Sequence, residues 1–428
     1  MPGLAPRRSA LDLLTLVAAG RTLDEALDQC RSFNALEGPD RSFAHALAAS
    51  VLRRRGAIDH LIGLYIDRPL PKRSARATDI LRLAAAQSLI LKTPDHAVVS
   101  TAVALTEDYR ETAAYGGLVN AVARKIAAKG PESLEKLSER IDTPGWMWRG
   151  WEREFGADAA RAIAKANASE ARIDLTPRDP TDAAALAEAV GGVLLSTGSV
   201  RLTAGARVTT LPGFDDGRFW VQDAAAAIPA RLFGDLHGKR VFDLCAAPGG
   251  KTMQLAASGG TVIAVDESGD RLKIVAENLA RTKLLAETIK ADVLRWKPDD
   301  PADAVLLDAP CTATGTIRRH PDVLWTKTED SLRALTAMQA RMIDRAVEMT
   351  KPGGMIVYCV CSLQAEEGEK QIAAALARQP ALARVPIGLE EVGGLAALTR
   401  EGDLRTMPSM LAADGGIDGF YAARLMRH

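Results

Sequence analysis

Residues 1–130 carry apolar side chains at helical spacing throughout. Leu, Val and Ala recur three and four positions apart, which places them on one side of a helix. Gly and Pro interrupt the pattern at intervals, and the alternation typical of strands is almost absent. The pattern predicts a small all-α domain. The predicted helices cover residues 9–19, 23–32, 41–65, 76–92, 95–109 and 116–128.

The middle of the chain is predicted to contain a linker, a helix and a small mixed segment. Residues 129–145 have Gly-Pro or Pro-Gly pairs at both edges and are predicted to be the linker. Three closely spaced tryptophans then open an amphipathic helix that is expected to end near Asn167. Such tryptophans favour a core or a domain junction, with stacking on bases as the alternative. From about residue 171 to 215, short strands and helices predict an α+β segment.

From residue 218 onward, short apolar runs alternate with helical patterns. This alternation predicts right-handed βαβ units and a parallel sheet. Ligands bind such sheets at the carboxyl ends of the strands, so the residues after each strand are the candidates for chemistry. The predicted strands cover 241–244, 262–265, 288–291, 304–307 and 355–360, with helices near 250, 270–282, 329–350 and 364–377.

Composition excludes several classes of protein. The 47% hydrophobic content argues against disorder. The sequence contains no uninterrupted run of 18 apolar residues, which argues against a transmembrane helix. Arg7-Arg8 before an apolar stretch faintly resemble a signal peptide, but Asp12 interrupts that stretch. The odd count of 5 cysteines favours reduced thiols, so we expect a cytoplasmic protein.

Charge is balanced overall but uneven along the chain. The 54 basic and 54 acidic residues cancel, which by itself argues against a nucleic-acid partner. Residues 51–100, however, hold nine Lys and Arg against four acids. A local phosphate-facing patch or a set of solvated helix ends would both explain this excess. The candidates for the patch are Arg53, Arg54, Arg55, Lys72, Arg73 and Arg76.

The first chemical motif is the run 243–252, DLCAAPGGKT, at the end of a predicted strand. Its small residues allow a ligand to approach the backbone and the following helix N-terminus. A P-loop requires glycine where Cys245 stands, and the dinucleotide fingerprint G-x-G-x-x-G is absent. A nucleoside-binding turn fits, with Asp266 for ribose hydroxyls and Asp292 for an adenine amino group. The alternative for each aspartate is a helix N-cap.

Two further motifs place thiols and a carboxylate after neighbouring predicted strands. Asp308-Ala309-Pro310-Cys311 follows one strand, and Cys359-Val360-Cys361-Ser362 closes the next. Neighbouring strands lie about 4.8 Å apart, so these thiols can face one cleft. A zinc site is disfavoured because a second Cys/His pair at suitable spacing is lacking, and we expect no metal.

Two thiols, an acid and a nucleoside pocket together suit methylation of cytosine carbon 5. A thiolate that adds to carbon 6 makes carbon 5 nucleophilic, which is covalent catalysis. A second thiolate can then remove the carbon 5 proton as a base. Asp308 could bond the cytosine ring and stabilise the charge that develops on it.

These motifs resemble the RNA 5-methylcytosine methyltransferase family, the NOL/NOP/Sun group. Residues 221–223, VQD, and 418–421, DGFY, support the same resemblance. The N-terminal part is similar to the NusB RNA-binding domain, and the pairing resembles a bacterial branch that acts on small-subunit (16S) ribosomal RNA. The resemblance implies a NusB-like all-α domain over residues 1–140, a bridging linker helix and RNA-binding α+β segment over 141–215, and a Rossmann-like class I methyltransferase domain over 216–428.

The resemblance also implies roles for individual residues. Cys361 would be the nucleophile, Cys311 the base for product release, and Asp308 a cytosine contact. The family usually has Ala-Thr before its nucleophile, whereas Cys359-Val360 stand here, so Cys359 is a possible substitute that we expect to be a packed thiol. S-adenosylmethionine would contact Cys245, Ala246, Ala247, Pro248, Gly249, Gly250, Lys251, Asp266, Asp292 and Asp308.

The expected partner is therefore RNA, either 16S ribosomal RNA or a small-subunit assembly intermediate, and the chain is expected to be a monomer. Arg318 and Arg319 join the candidates for phosphate contacts. Two alternatives stay open: a transfer-RNA methyltransferase of the same family, and a non-catalytic RNA-binding assembly factor. Residues 1–150 carry a net charge of +4, so neutrality of the whole chain does not exclude RNA.

Overall fold

The computed structural model describes residues 3–68, 70–71, 74–203 and 205–428. The chain forms two compact units. The helical unit comprises Met1–Ser169 and Ile317–Thr328, and the sheet unit comprises Glu170–Thr316 and Glu329–His428. These units depart from the three predicted segments, because the tryptophan-rich helix joins the helical unit and the small α+β segment joins the sheet unit.

The helical unit confirms the predicted all-α domain. Its core is built from the apolar faces of the helices, with Leu11, Leu47 and Leu83 fully buried. The helices are α1 Leu4–Ala18, α2 Leu23–Gln29, α3 Arg31–Asn34, α4 Gly38–Arg53, α5 Arg55–Gly63, α6 Ala75–Leu89, α7 Asp95–Glu107, α8 Gly116–Glu135, α9 Gly145–Phe155 and α10 Ala157–Asn167.

Three predicted boundaries in this unit are wrong. The predicted helix 41–65 is broken at Arg54, which leaves helical geometry with φ −116° and ψ 22°. The predicted linker begins inside α8, which continues through Pro131 to Glu135; a Cβ at Gly130 would lie 2.8 Å from Leu89 Cδ2. The tryptophan helix is divided into α9 and α10 because Gly156 has φ +84°.

A short segment from the second half of the chain packs within the helical unit. It contains α15 Val323–Thr326, and the Trp325 indole Nε1 donates to the Leu52 carbonyl at 2.6 Å. The Arg55 guanidinium lies over the Trp325 ring at 4.8 Å. Arg53 Nη2 donates to the carbonyl of Arg318 at 3.0 Å. The segment 317–328 is thus anchored by an indole, a cation–π contact and a buried guanidinium.

A small antiparallel sheet opens the sheet unit. The buried Arg201 guanidinium makes a two-pronged pair with Asp174, with both N–O distances 2.7 Å. Arg201 also donates to the carbonyls of Asp414 and Gly416, which ties this sheet to the C-terminal part of the unit. The strands β1 Asp174–Pro177, β2 Val193–Leu194, β3 Val200–Arg201 and β4 Phe219–Val221 lie in the order β2-β3-β1-β4, with α11 Ala183–Val190.

The main sheet confirms the predicted α/β domain and adds an antiparallel edge. Five strands are parallel, in the order β9-β8-β5-β6-β7. β12 pairs antiparallel with β9 and carries β10 and β11. The strands are β5 Arg240–Leu244, β6 Thr261–Asp266, β7 Glu287–Lys290, β8 Ala302–Asp308, β9 Thr350–Val360, β10 Leu382–Arg384, β11 Leu404–Thr406 and β12 Phe420–Arg427.

Helices pack on the main sheet, and all but the first of them alternate with its strands along the chain. They are α12 Ile228–Arg231, α13 Gly250–Ala257, α14 Gly269–Thr282, α16 Glu329–Met349 and α17 Glu369–Arg378. Within the described parts of the chain, no helix combines the length and apolar character that crossing a membrane requires.

Two glycines of α5 provide a matched test of the packing in the helical unit. A Cβ at Gly56 would lie 1.9 Å from the Ile141 carbonyl oxygen, whereas a Cβ at Gly63 would meet nothing within 4 Å. We expect Gly56→Ala to destabilise the protein by about 2 kcal/mol or more. Gly63→Ala should be neutral or stabilising by about 0.5 kcal/mol. Urea unfolding followed by circular dichroism measures both; equal stability of the two variants would contradict the described contact.

Candidate active site

The predicted site residues follow neighbouring strands at one edge of the main sheet. Cys361 follows β9, Asp308 ends β8, Cys245 follows β5, Asp266 ends β6 and Asp292 follows β7. Because these five strands are parallel and adjacent, their carboxyl ends lie side by side. The topology therefore brings the three sequence motifs to a single edge.

The turn after β5 has a backbone built for close approach. Cys245 has φ +64° and Gly249 has φ +102°, both in the left-handed region. The Ala246 N–H donates to the Val265 carbonyl at 3.0 Å, which holds the turn against β6. α13 begins at Gly250, so the turn leads straight into the positive end of a helix.

Two carboxylates stand beside this turn with acceptor capacity left. Asp266 is 2% exposed and accepts the N–H groups of Ala247 at 3.2 Å and Ser268 at 3.0 Å. Asp292 accepts the Leu294 N–H at 2.9 Å. Asp266 is not the helix N-cap of the alternative interpretation, because Ser268 caps α14; its N–H contacts and an ion pair with Arg271 at 3.3 Å occupy part of its acceptor capacity. A carboxylate offers about four acceptor positions, however, so both residues still fit the hydroxyl and amino groups of a nucleoside cofactor.

Asp308 is held by a buried lysine. Lys251 Nζ donates to Asp308 Oδ2 at 2.7 Å, and the ammonium lies 4.9 Å from the Phe420 ring centroid. Burial works against the charged ammonium, but the neighbouring Asp308 carboxylate outweighs it and raises the pKa of Lys251. Lys251 therefore stays positively charged, and its ammonium holds the Asp308 side chain at the end of β8.

The two predicted catalytic thiols face each other. Cys311 Sγ and Cys361 Sγ are 3.5 Å apart, although fifty positions separate them in the chain. The hydrogen bond with Cys361, followed by burial, raises the pKa of Cys311 well above its ordinary value. At neutral pH the proton therefore stays on Cys311, and either thiol can be the donor of the hydrogen bond between them.

The third thiol of this region is in a different environment. Cys359 is 0% exposed, and its Sγ donates to Asp308 Oδ1 at 3.5 Å. Burial, followed by the charge of Asp308, raises the pKa of Cys359 well above its usual range. A buried thiol that keeps its proton and is turned toward a carboxylate is a poor nucleophile. This environment supports the expectation that Cys359 is a packed thiol.

Sequence reasoning missed a buried carboxylate beside the thiols. Glu367 is 0% exposed and accepts hydrogen bonds from Thr312 and Ser362, which directly follow the two cysteines. The Gln339 amide also donates to it, at 3.0 Å. Glu367 stands in a short acidic run, Glu366-Glu367-Gly368-Glu369, and acidic runs usually indicate a solvated surface. The signal in the sequence that could have indicated a shared acceptor was the hydroxyl residue after each cysteine, Thr312 and Ser362.

Asp243 is a second buried acid, within β5. The Thr252 hydroxyl donates to Asp243 Oδ2 at 2.6 Å, and Oδ1 has no hydrogen-bond partner. Burial raises the pKa of Asp243 to about 7, with the Thr252 hydrogen bond working in the opposite direction. The carboxyl group is therefore largely protonated below neutral pH.

Several predicted RNA contacts have other partners. Arg53 and Arg318 are 8% and 2% exposed, which corrects their assignment as surface phosphate ligands. Arg54 pairs with Asp142 at 2.7 Å. The side chains of Arg55 and Arg76 are about one-third exposed and pair with Asp59 at 3.7 Å and Glu111 at 2.9 Å. Arg319 is half-buried. Lys72 and Arg73 lie outside the described residues.

The aromatic and metal expectations of the sequence can also be placed. Trp148 and Trp151 are 4% and 0% exposed, so they form core rather than a stacking surface for bases. The Arg140 guanidinium lies 5.2 Å from the Trp148 ring centroid. Across the described ranges, no group of three or more His, Cys, Asp or Glu side chains is arranged to hold a metal ion.

Comparison with known families gives two matches along the chain. Residues 234–426 match the family model described as "16S rRNA methyltransferase RsmB/F". Residues 4–128 match the NusB family. The first match covers the main sheet and its strand-end motifs, and the second covers most of the helical unit.

Full-length relatives and a solved structure agree with these matches. The ribosomal RNA small subunit methyltransferase B of Xanthomonas campestris is 33% identical, with 99% of both chains covered. The protein of the same name from Pseudomonas putida is also 33% identical, covering 99% of this chain and 98% of its own. The crystal structure of PH0851 superimposes with a TM-score of 0.78 at 21% identity, covering 100% of this chain and 99% of that one.

The raised pKa of Asp243 predicts a pH-dependent stability difference. In the wild type, the unfolded chain loses this proton above about pH 4 and the folded chain only near pH 7. The free energy of unfolding of the wild type should therefore fall relative to that of Asp243→Asn as the pH rises through that window, by at most about 1.4 kcal/mol per pH unit. Above the window, the difference between the two proteins should stay constant. Thermal unfolding of both proteins from pH 4 to 8 measures this difference. Parallel curves would show that Asp243 is ionised throughout.

Proposed function

Because this chain belongs to the RsmB/F family of 16S rRNA methyltransferases, we propose that it methylates carbon 5 of a cytidine in small-subunit ribosomal RNA through a cysteine adduct. The methyl donor is S-adenosylmethionine. The observation that carries this proposal is the 3.5 Å separation of the Cys311 and Cys361 thiols beside Asp308. Methylation at a ring nitrogen or at a ribose hydroxyl requires no such pair of thiols.

Cys361 is the proposed nucleophile. Its thiol loses the proton to solvent, the sulfur attacks carbon 6 of the cytosine, and the S–C6 bond forms as the electron pair of the C5–C6 double bond moves to carbon 5. Asp308 would bond the amino group and ring nitrogen of the base, which stabilises the charge that develops there. The assignment is supported by the raised pKa of Cys311, which keeps the proton on that thiol and makes it the weaker nucleophile of the two.

The cofactor-binding surface is proposed to be the turn 245–250 with Asp266 and Asp292. Asp266 would accept the ribose hydroxyls, and Asp292 would accept from the adenine amino group. When bound, S-adenosylmethionine supplies an electrophilic methyl group to carbon 5. The chain's own contribution is to hold the base and the donor at adjacent strand ends, which makes the transfer effectively unimolecular.

Cys311 is proposed to act as the base in the step that releases the product. The hydrogen bond with Cys361 is the main reason for its raised pKa. Once the Cys361 sulfur is bonded to carbon 6, it can no longer hold negative charge, and that cause is removed. The Cys311 thiol can then lose its proton to solvent and accept the proton from carbon 5. The S–C6 bond breaks as the ring double bond re-forms, which returns Cys361 to its thiolate.

The target cytidine must be unpaired or flipped out, because a stacked base hides the face of carbon 6. We propose that the NusB-related helical unit binds RNA for the catalytic unit. The match of residues 4–128 to the NusB family supports this proposal. The cytoplasmic location and the monomeric state expected from the sequence stay predictions. So do phosphate contacts by Arg319 and by Lys72 and Arg73.

The two thiol roles predict opposite adduct phenotypes. We expect Cys311→Ala to accumulate a covalent protein–RNA adduct in the presence of S-adenosylmethionine, because addition and transfer proceed without product release. Cys361→Ala should form no adduct and show no detectable methyl transfer. Denaturing gels with labelled small-subunit RNA detect the adduct, and incorporation of a tritiated methyl group measures turnover.

Cys359→Ala is the matched control for the adduct experiment. It removes the thiol two positions before Cys361, within β9, and it should retain adduct-dependent turnover. Adduct formation that survives in Cys361→Ala but is lost in Cys359→Ala would assign the nucleophile to Cys359 instead. An adduct in Cys361→Ala that requires Cys311 would reverse the two proposed roles.

The substrate is testable in cells. Bisulfite sequencing of total RNA from a deletion strain should show loss of one 5-methylcytosine in small-subunit ribosomal RNA, with transfer RNA unchanged. Loss confined to transfer RNA would support the alternative substrate within the same family. A chain that binds no S-adenosylmethionine by calorimetry, with no change in RNA methylation, would support the non-catalytic assembly factor.

A further inference from the structure

We propose that Glu367 is a positioning residue that fixes the two thiol loops, which carry Cys311 after β8 and Cys361 after β9, relative to each other. The inference deepens the proposed function and rests on it. Glu367 lies between β9 and α17, and its carboxylate binds the residue that follows each of the two cysteines. It does not itself contact Cys311 or Cys361 through any described hydrogen bond, so it would act through Thr312 and Ser362.

Each oxygen of the Glu367 carboxylate serves the loops in a distinct way. Oε1 accepts the backbone N–H of Thr312 at 2.9 Å, which fixes the main chain next to Cys311. Oε2 accepts the Thr312 and Ser362 hydroxyls, both at 2.5 Å. One oxygen therefore joins the two loops directly, and the two hydroxyls also lie 3.2 Å from each other.

A fourth donor and the main chain of Glu367 complete the arrangement. Gln339 Nε2, from α16, donates to Oε1 at 3.0 Å and to the Pro310 carbonyl at 2.8 Å. The Tyr358 hydroxyl donates to the Glu367 carbonyl at 2.6 Å, which fixes the backbone of the residue to β9. Contacts with α16 and β9 thus hold Glu367 in addition to its contacts with Thr312 and Ser362.

The chemistry of a buried acid explains why these contacts are stiff. All four groups that donate to the carboxylate are neutral, so the charge depends on hydrogen bonds for its stability. Burial raises the pKa of Glu367, and the donors from Ser362, Thr312 and Gln339 counteract it. Moving either loop would remove a donor from a buried charge, which is costly in a medium of low dielectric constant.

This stiffness matters for the proposed reaction because the two thiols act on adjacent ring atoms. Cys361 must reach carbon 6, and Cys311 must then reach the proton on carbon 5 of the same base. An error of about 1 Å in the relative position of reacting groups costs roughly a hundredfold in rate. Glu367 should therefore affect turnover and the distance between the thiols, while the contacts of Asp266 and Asp292 remain unchanged.

The test compares Glu367→Gln with Glu366→Gln. Glutamine keeps the shape of the side chain but replaces one acceptor oxygen with an amide NH2 group. This group cannot accept the hydrogen bonds that the replaced oxygen receives. The control makes the same substitution at the adjacent residue, which pairs with Lys370 at 3.0 Å on the surface. We expect kcat of Glu367→Gln to fall roughly 10- to 100-fold, with KM for S-adenosylmethionine within about twofold of wild type. The control should match wild type.

A second measurement reads the thiol geometry without methyl transfer. Dibromobimane becomes fluorescent when it bridges two neighbouring thiols, so cross-linking of Cys311 to Cys361, mapped by mass spectrometry, reports their proximity. We expect slower cross-linking in Glu367→Gln than in wild type and no change in Glu366→Gln. Ser362→Ala, which removes one of the donors to Oε2, should show the same effects if Glu367→Gln does not fold.

The outcomes separate this inference from the proposed function. A Glu367→Gln protein with wild-type kcat and cross-linking would overturn the positioning role while leaving cytosine methylation intact. A loss explained by weaker cofactor binding or a lower fraction folded, with unchanged cross-linking, would also overturn it. If wild-type protein makes no 5-methylcytosine, the proposed function fails first, and the cross-linking comparison still decides whether Glu367 holds the loops together.

Discussion

The parallel register between β8 and β9 is the constraint on which the site depends. Asp308 is the register partner of Cys359, and Ala309 continues the pairing by donating to the Cys359 carbonyl at 3.0 Å. Cys311 and Cys361 consequently emerge beyond the same sheet edge. A shift by one residue would turn every side chain of a strand to its other face, so the Asp308 contact with Cys359 and the approach of the catalytic thiols would be lost together.

Close backbone contacts then hold the loop that follows Cys311. The Gly315 N–H donates to the Cys361 carbonyl at 3.0 Å, and its own carbonyl accepts from the Gly419 N–H at 2.8 Å. A Cβ at Gly315 would lie 1.8 Å from the Gly419 carbonyl oxygen, which leaves no room for a side chain. The residues just before β12 thus also hold the loop that follows Cys311. This contact gives a physical reason for the glycines in both motifs.

Much of this architecture followed from local patterns, because strand and helix periodicity and strand-end chemistry are local properties. The thiols, Asp308 and the turn at Cys245 were predicted on that basis, and the main sheet carries them at one edge. Glu367 was missed because its partners come from three separate parts of the chain, at Thr312, at Gln339 and at residues 358–362. The basic residues misled for the same reason: nothing near Arg53 in sequence indicates that Arg318 packs beside it. Distant pairing, rather than local preference, defines what the sequence alone could not predict.

The segment 317–328 has a consequence for how this protein can be divided. The chain enters the helical unit a second time after Thr316 and leaves it before Glu329, so three peptide connections, not one, join the two units. A cut near residue 169 would therefore yield a catalytic fragment that still carries Trp325 without the Leu52 carbonyl that its indole binds. The helical unit is therefore built from two separate stretches of the chain. Exchanging its N-terminal stretch for that of a relative would require the segment 317–328 to be exchanged with it.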